Sequence, residues 1–192
     1  MKKANLILIL FMAGASTVFA QAQFSVGLKG GLNFAKFDAS DFGGSLKNKT
    51  GFHGGAFALI KLTKIGIQPE LIFSQQGSKV TFNGADLESN FDYINIPVIF
   101  KLYTIAGINI QAGPQFGFLS KAEIDGDNVK DSFKSSDTSL ALGLGWDLPF
   151  GLTVDARYNI GLSDIEDSAS ADAVKNQVFQ LSVGYKLFKF GK

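Results

Sequence analysis

The chain has 192 residues, no cysteine, a formal net charge of +1 and a mean hydropathy of +0.17. That length suits one domain or two small ones. With 46% hydrophobic and 18% charged residues it is too apolar and too weakly charged to be disordered as a whole. A near-neutral chain lacks the cationic excess that nucleic-acid binding draws on. The absence of cysteine excludes disulfides and thiolate metal sites.

The first twenty residues read as an export signal. Lys2 and Lys3 form a basic start, Leu6 to Ala15 is an unbroken apolar run, and Val18 and Ala20 suit positions −3 and −1 of a cleavage site. The run is too short to span a bilayer as a helix. The expected division is a signal peptide over 1–20 and one domain over 21–192. Loss of Lys2 and Lys3 with the leader turns the net charge of +1 into −1. No second long apolar run follows, so a helical membrane protein is not expected.

The rest of the chain alternates with period two, the signature of strands with one apolar and one polar face. Phe24 to Phe34 opens the series, with apolar residues at the even positions except Gly30. In Thr50 to Leu62 both faces are fairly apolar. Phe52, Ala56, Ala58, Ile60 and Leu62 are placed on the apolar side and His53 and Lys61 on the other. Ile65 to Phe73 has its apolar face at odd positions, while Tyr93 to Leu102 and Ile108 to Phe118 have theirs at even ones. Leu140 to Leu148 and Leu152 to Ile160 set Leu, Trp, Val and Tyr against Gly, Ser, Asp, Arg and Asn. Val178 to Leu187 does the same with Phe179, Leu181, Val183, Tyr185 and Leu187.

These eight strands are each about ten residues or longer, the length a tilted strand needs to cross a bilayer, whereas ordinary strands average about 5–6. The connections alternate. Short links fall at Thr63-Lys64, Tyr103 to Gly107 and Pro149 to Gly151, and long ones at about 36–49, 77–91, 120–137 and 163–175. Both termini fall on the short-link side. The pattern predicts an all-β fold, an eight-stranded antiparallel up-and-down transmembrane β-barrel in the outer membrane, with periplasmic termini and four long extracellular loops. Closure leaves no unpaired edge in lipid. The competing architecture is a soluble lipocalin-like barrel with the faces reversed.

Several segments resemble the small outer-membrane β-barrel family abundant in Bacteroidota, known as porin-family or PorT-like proteins. They are Gly27-Leu28-Lys29-Gly30-Gly31-Leu32-Asn33, Gln68-Pro69-Glu70-Leu71, Tyr93-Ile94-Asn95-Ile96-Pro97, and Asp155-Ala156-Arg157-Tyr158-Asn159-Ile160-Gly161-Leu162. The resemblance spans essentially the whole mature chain. It implies an eight-stranded barrel like the transmembrane domain of outer membrane protein A and a Gram-negative host. A role in type IX secretion belongs to some PorT members only.

The polar faces collect Lys29, Glu70, Lys101, Asp147, Asp155, Arg157 and Lys186. Charges in so narrow a lumen must pair or be hydrated, and Arg157 can fork to Glu70, Asp147 or Asp155. A structural ion-pair network is the leading reading, a narrow polar path for ions the second. His53, the only histidine, is expected near the extracellular rim, without a nucleophile or acid at a matching strand spacing. Phe100, Tyr103, Trp146, Tyr158 and Tyr185 are expected in two interfacial girdles. Glu123 to Asn128 contains Asp-Gly-Asp but lacks the further ligands of an EF-hand, and Asp164, Glu166 and Asp167 form a second acidic patch. Val80 and Phe82 alternate with Lys79 and Thr81, predicting that the third strand continues upward as a raised hairpin.

No catalytic residue, metal site or cofactor is expected. The surroundings are outer-membrane lipid and lipopolysaccharide, with the barrel-assembly machinery engaged during insertion. No nucleic acid is expected, and the sequence names no specific protein partner. The functional expectation is a non-enzymatic barrel that anchors itself or presents its loops. A narrow passive pore is the alternative, followed by a secretion-accessory barrel or a lipid-modifying enzyme using His53.

Overall fold

The computed structural model describes residues 22–38, 45–82, 85–124, 127–128, 136–162 and 175–191. The signal segment 1–20 and the acidic patch at 164–167 lie outside the described residues. Eight long strands form the barrel wall: β1 (Ala22–Asp38), β2 (Ser45–Leu62), β3 (Ile65–Phe82), β4 (Ala85–Tyr103), β5 (Ile108–Ile124), β6 (Ser136–Asp147), β7 (Leu152–Gly161) and β8 (Lys175–Phe190). A two-residue piece, Asp127–Asn128, pairs with the end of β5. Each strand is antiparallel to the next, and β1 pairs with β8, so the sheet closes on itself as an up-and-down barrel.

The alternation of the sequence becomes an alternation of environment. Along β3, odd residues from Ile65 to Phe73 point outward and even residues from Gly66 to Ser74 are buried; β4 and β5 repeat this with the parity reversed. The outward face is apolar: Leu28, Leu71, Leu144 and Val183 are 54, 57, 60 and 55% exposed. A continuous apolar surface around a whole barrel exceeds by far the few hundred Å² a soluble monomer exposes, and lipid is the solvent it fits.

The strands are longer than a bilayer requires. β3 and β4 stay paired from Ile65↔Leu102 to Phe82↔Ala85, leaving only two residues between them. The long link expected at 77–91 is therefore β-ladder for most of its length, the raised hairpin foreseen from Val80 and Phe82. β5 likewise runs to Ile124. By contrast β6 and β7 have 12 and 10 residues, close to the minimum for a crossing. Among the described residues the barrel is thus tall everywhere but at β6 and β7.

The interior is filled by side chains. The ambiguous strand β2 turns His53, Phe57 and Leu59 inward, with Phe52, Ile60 and Leu62 outward. Phe57, Leu59, Ile72 and Ile99 are buried apolar side chains of β2–β4, and Phe91, Tyr93, Leu119 and Ala122 form a buried apolar cluster between β4 and β5. Gly27 makes room for the Phe57 ring: an added Cβ would lie 2.5 Å from it. Buried polar side chains come from every strand, most of them from β1, β3 and β7.

Candidate functional site

The charged residues of the lumen form one connected network toward the short-turn end. Arg157 on β7 forks to Glu70 on β3, with Nη1 to Oε2 at 2.9 Å and Nη2 to Oε1 at 2.7 Å. Its Nε donates to Gln111 Oε1 at 2.6 Å, and Gln111 Nε2 donates to Asp155 Oδ1 at 2.5 Å. Lys29 Nζ lies 3.2 Å from Asp155 and 3.5 Å from Glu70. Gln68 Nε2 donates to Glu70 Oε1 at 2.6 Å. Lys101 reaches both Asp155, at 3.6 Å, and Asp147, at 3.5 Å. Lys186 completes the chain with Asp147 at 2.6 Å.

All seven charged residues expected in the lumen therefore stand in this single network, drawn from six of the eight strands. The Arg157 and Glu70 side chains are 3 and 1% exposed. An isolated ion so deeply buried costs several kcal/mol, so the paired arrangement is the condition for having charge here at all. Gly145 keeps the space open: a Cβ there would come within 2.6 Å of Asn109 Oδ1 and Asp155 Oδ1.

Tyr103 corrects an expectation. It is not an interfacial aromatic but is buried inside the barrel. It shares the inward parity of Tyr93, Asn95 and Lys101 on β4. Its hydroxyl donates to Asp147 Oδ2 at 2.9 Å, and Lys61 Nζ sits 3.8 Å from the centre of its ring. Phe100, Trp146, Tyr158 and Tyr185 lie on the outer surface. Trp146 Nε1 donates to Ala106 O at 2.9 Å, and the Tyr158 hydroxyl bonds Gln177 on β8.

Toward the hairpin end, the described contacts around His53 are neutral hydrogen bonds. His53 is not on an open rim; it is buried between β1 and β8. Its Nδ1 lies 2.8 Å from Asn33 Oδ1 and its Nε2 2.8 Å from Ser182 Oγ. Asn33 Nδ2 donates to Ser74 Oγ at 2.9 Å and to Gln75 O at 2.8 Å, which fixes its amide orientation. Asn33 Oδ1 can only accept, so the His53 proton is on Nδ1 and Nε2 accepts from Ser182. No partner stands near His53 in sequence; Ser182 lies 129 residues away and arrives through the β1–β8 closure. The sole sequence clue was that Asn33 and Ser182 sit on polar faces.

A serine, a histidine and an orienting amide in line are the parts of a nucleophilic site. Here His53 and Ser182 are each only 4% exposed, and acyl transfer requires a substrate carbonyl at Ser182 Oγ. The same bonds tie β1, β2 and β8 together as a hydrogen-bonded brace.

The chain matches, over residues 19–167, the model of a family described as outer membrane protein beta-barrel domain. No curated protein matches it. Among solved structures it is similar to Neisserial surface protein A, with a TM-score of 0.57 at 12% identity, covering 85% of this chain and 99% of that one. It is also similar to Ail, the attachment invasion locus protein of Yersinia pestis, in complex with the heparin analogue sucrose octasulfate. There the TM-score is 0.50 at 19% identity, with 88 and 99% covered. At such identities the likeness is one of fold. The family match covers most of the chain and agrees with the closed barrel and its apolar belt: this protein belongs to the outer membrane protein β-barrel domain family, and its place is the outer membrane.

Proposed function

We propose that the protein is a closed, non-enzymatic outer-membrane anchor whose raised hairpins, rather than its lumen, meet other molecules. The observation that carries this reading is the ion-pair network from Lys29 to Lys186, whose buried charges tie six strands together across the interior. An eight-stranded barrel has room for side chains or one small ligand, and here side chains take it. The tall β3–β4 hairpin supplies surface beyond the crossing. The reading includes cleavage of residues 1–20, periplasmic termini, and four hairpins on the extracellular side. It also includes a Gram-negative host of the Bacteroidota type, which the strand motifs resemble. The two similar barrels named above are a surface protein and an attachment invasion protein, in keeping with surface contact.

The test is single-channel recording in a planar bilayer, after a heat-shifted gel band shows that the barrel has closed. The expected result is no steady current. A steady current that changes in Glu70→Gln would overturn the anchor and make the lumen a narrow ion path.

A further inference from the structure

At the short-turn end a cavity of about 190 Å³ opens between Gln23, Lys61, Asp147, Lys186, Lys189 and the turn Pro149–Gly151. Its charge is unbalanced. Asp147 is the one carboxylate among the described lining residues, and its oxygens are already taken by Lys186, Lys101 and the Tyr103 hydroxyl. Lys61 and Lys189 form no salt bridge among the described residues. Two ammonium groups without a carboxylate, and a third that shares one, therefore border the same small space.

The backbone is shaped to produce this. Lys186 and Lys189 are three residues apart, and in a regular strand such residues point to opposite faces. A β-bulge intervenes: Gly27 pairs with Lys186 while Val26 pairs with Phe188, so Leu187 is skipped. Before the bulge, Val183 and Tyr185 face outward; after it, Phe188 and Phe190 do, at 61 and 62% exposure. The parity flips, and Lys189 joins Lys186 at the cavity. Bulges commonly re-aim a side chain in this way.

We infer that this basic cavity, built by Lys61, Lys186 and Lys189 around the Leu187 bulge, binds a compact phosphate-type anion. Its volume is below the roughly 300–1,000 Å³ of pockets for drug-sized ligands, so it takes an oxyanion head and not a sugar nucleotide. Lysine ammonium groups bind phosphate as point charges from several directions. Phe188 and Phe190 on the lipid-facing side and Phe150 at the tip of the turn set the cavity beside the membrane surface. A phospholipid headgroup and free phosphate share the chemistry required. The inference is independent of whether the lumen conducts.

The full chain, refolded in phosphatidylcholine vesicles, is titrated with inorganic phosphate at constant ionic strength. In a second arm the vesicles carry increasing phosphatidylglycerol. Trp146 is the only tryptophan, and it bonds Ala106 beside Gly107, which lines the cavity. Its fluorescence, with calorimetry for the soluble anion, is the readout. A saturable response is expected, weakened at least tenfold in Lys61→Gln/Lys189→Gln and unchanged in Lys64→Gln on the neighbouring turn. Saturation by phosphate in neutral vesicles identifies a free anion as ligand; a response confined to the phosphatidylglycerol arm identifies a headgroup. No saturable response in either arm, or one untouched by the double substitution, overturns the inference.

Discussion

The two halves of the lumen are built from different interactions. Toward the short turns, cations and carboxylates from six strands form one ionic network, with Arg157 and Glu70 at its centre. Toward the hairpins, Asn33, His53, Ser74, Gln180 and Ser182 make neutral hydrogen bonds. The ionic half tolerates no unmatched member, because an ion left alone in a low-dielectric interior is costly. Neutral groups are held less strictly: both side-chain polar atoms of Asn159, Nδ2 of Asn95 and, beside Glu70, Oε1 of Gln68 are buried without a protein partner. The lesson is that the charged half is the more stringent determinant of register and closure, and the neutral half the more tolerant.

The largest effect is expected where an ion is orphaned. Arg157→Leu removes both bonds to Glu70 and the bond to Gln111, and should destabilise the barrel by about 3–5 kcal/mol, read from the urea midpoint in lipid vesicles. Arg157→Lys should recover only part, since an ammonium cannot fork. An Arg157→Leu barrel as stable as the parent would erase the distinction between the halves. Next comes Gly145→Val, which forces a branched side chain against Asn109 and Asp155; about 1–3 kcal/mol should be lost, with slower refolding.

In the neutral half the effects should shrink. Ser182→Ala removes the hydroxyl that His53 Nε2 accepts from, at a cost of about 1 kcal/mol. A fluorophosphonate probe should leave Ser182 unlabelled; covalent labelling would break the non-enzymatic reading by showing a reachable nucleophile. Smallest of all is Asn159→Leu. Since its amide has no protein partner to lose, stability should stay within about 1 kcal/mol of the parent or rise. A loss as large as that of Arg157→Leu would show that the neutral half is also specified.

Much of this was legible in the chain. Alternation around Leu140 to Trp146 or Leu152 to Ile160 assigns the lipid side directly, because period two leaves only two faces and one is too apolar for water. The same parity marks Lys29, Glu70, Lys101, Asp155 and Arg157 as inward. Tyr103 was misplaced when its nearness to a strand end was weighed above its parity. The extent of β3 and β4 was blurred because Gln75 to Asn90 carries polar residues on both faces once the ladder leaves the membrane. His53 showed no partner because hydrogen-bonding distance in a closed sheet is unrelated to distance along the chain.

The sequence by itself determined the number of strands, the lipid face and the list of charges that the lumen must accommodate. All of these follow from local patterning and from the absence of water in a bilayer. Only the tertiary structure decided which charge meets which, that Ser182 closes on His53, and that Lys186 and Lys189 face the same cavity. Those depend on inter-strand register and on one bulge at Leu187. Register leaves no trace in the alternation of a single strand, and the bulge shows there only as the adjacent apolar pair Leu187-Phe188, which names neither the partner strand nor the cavity.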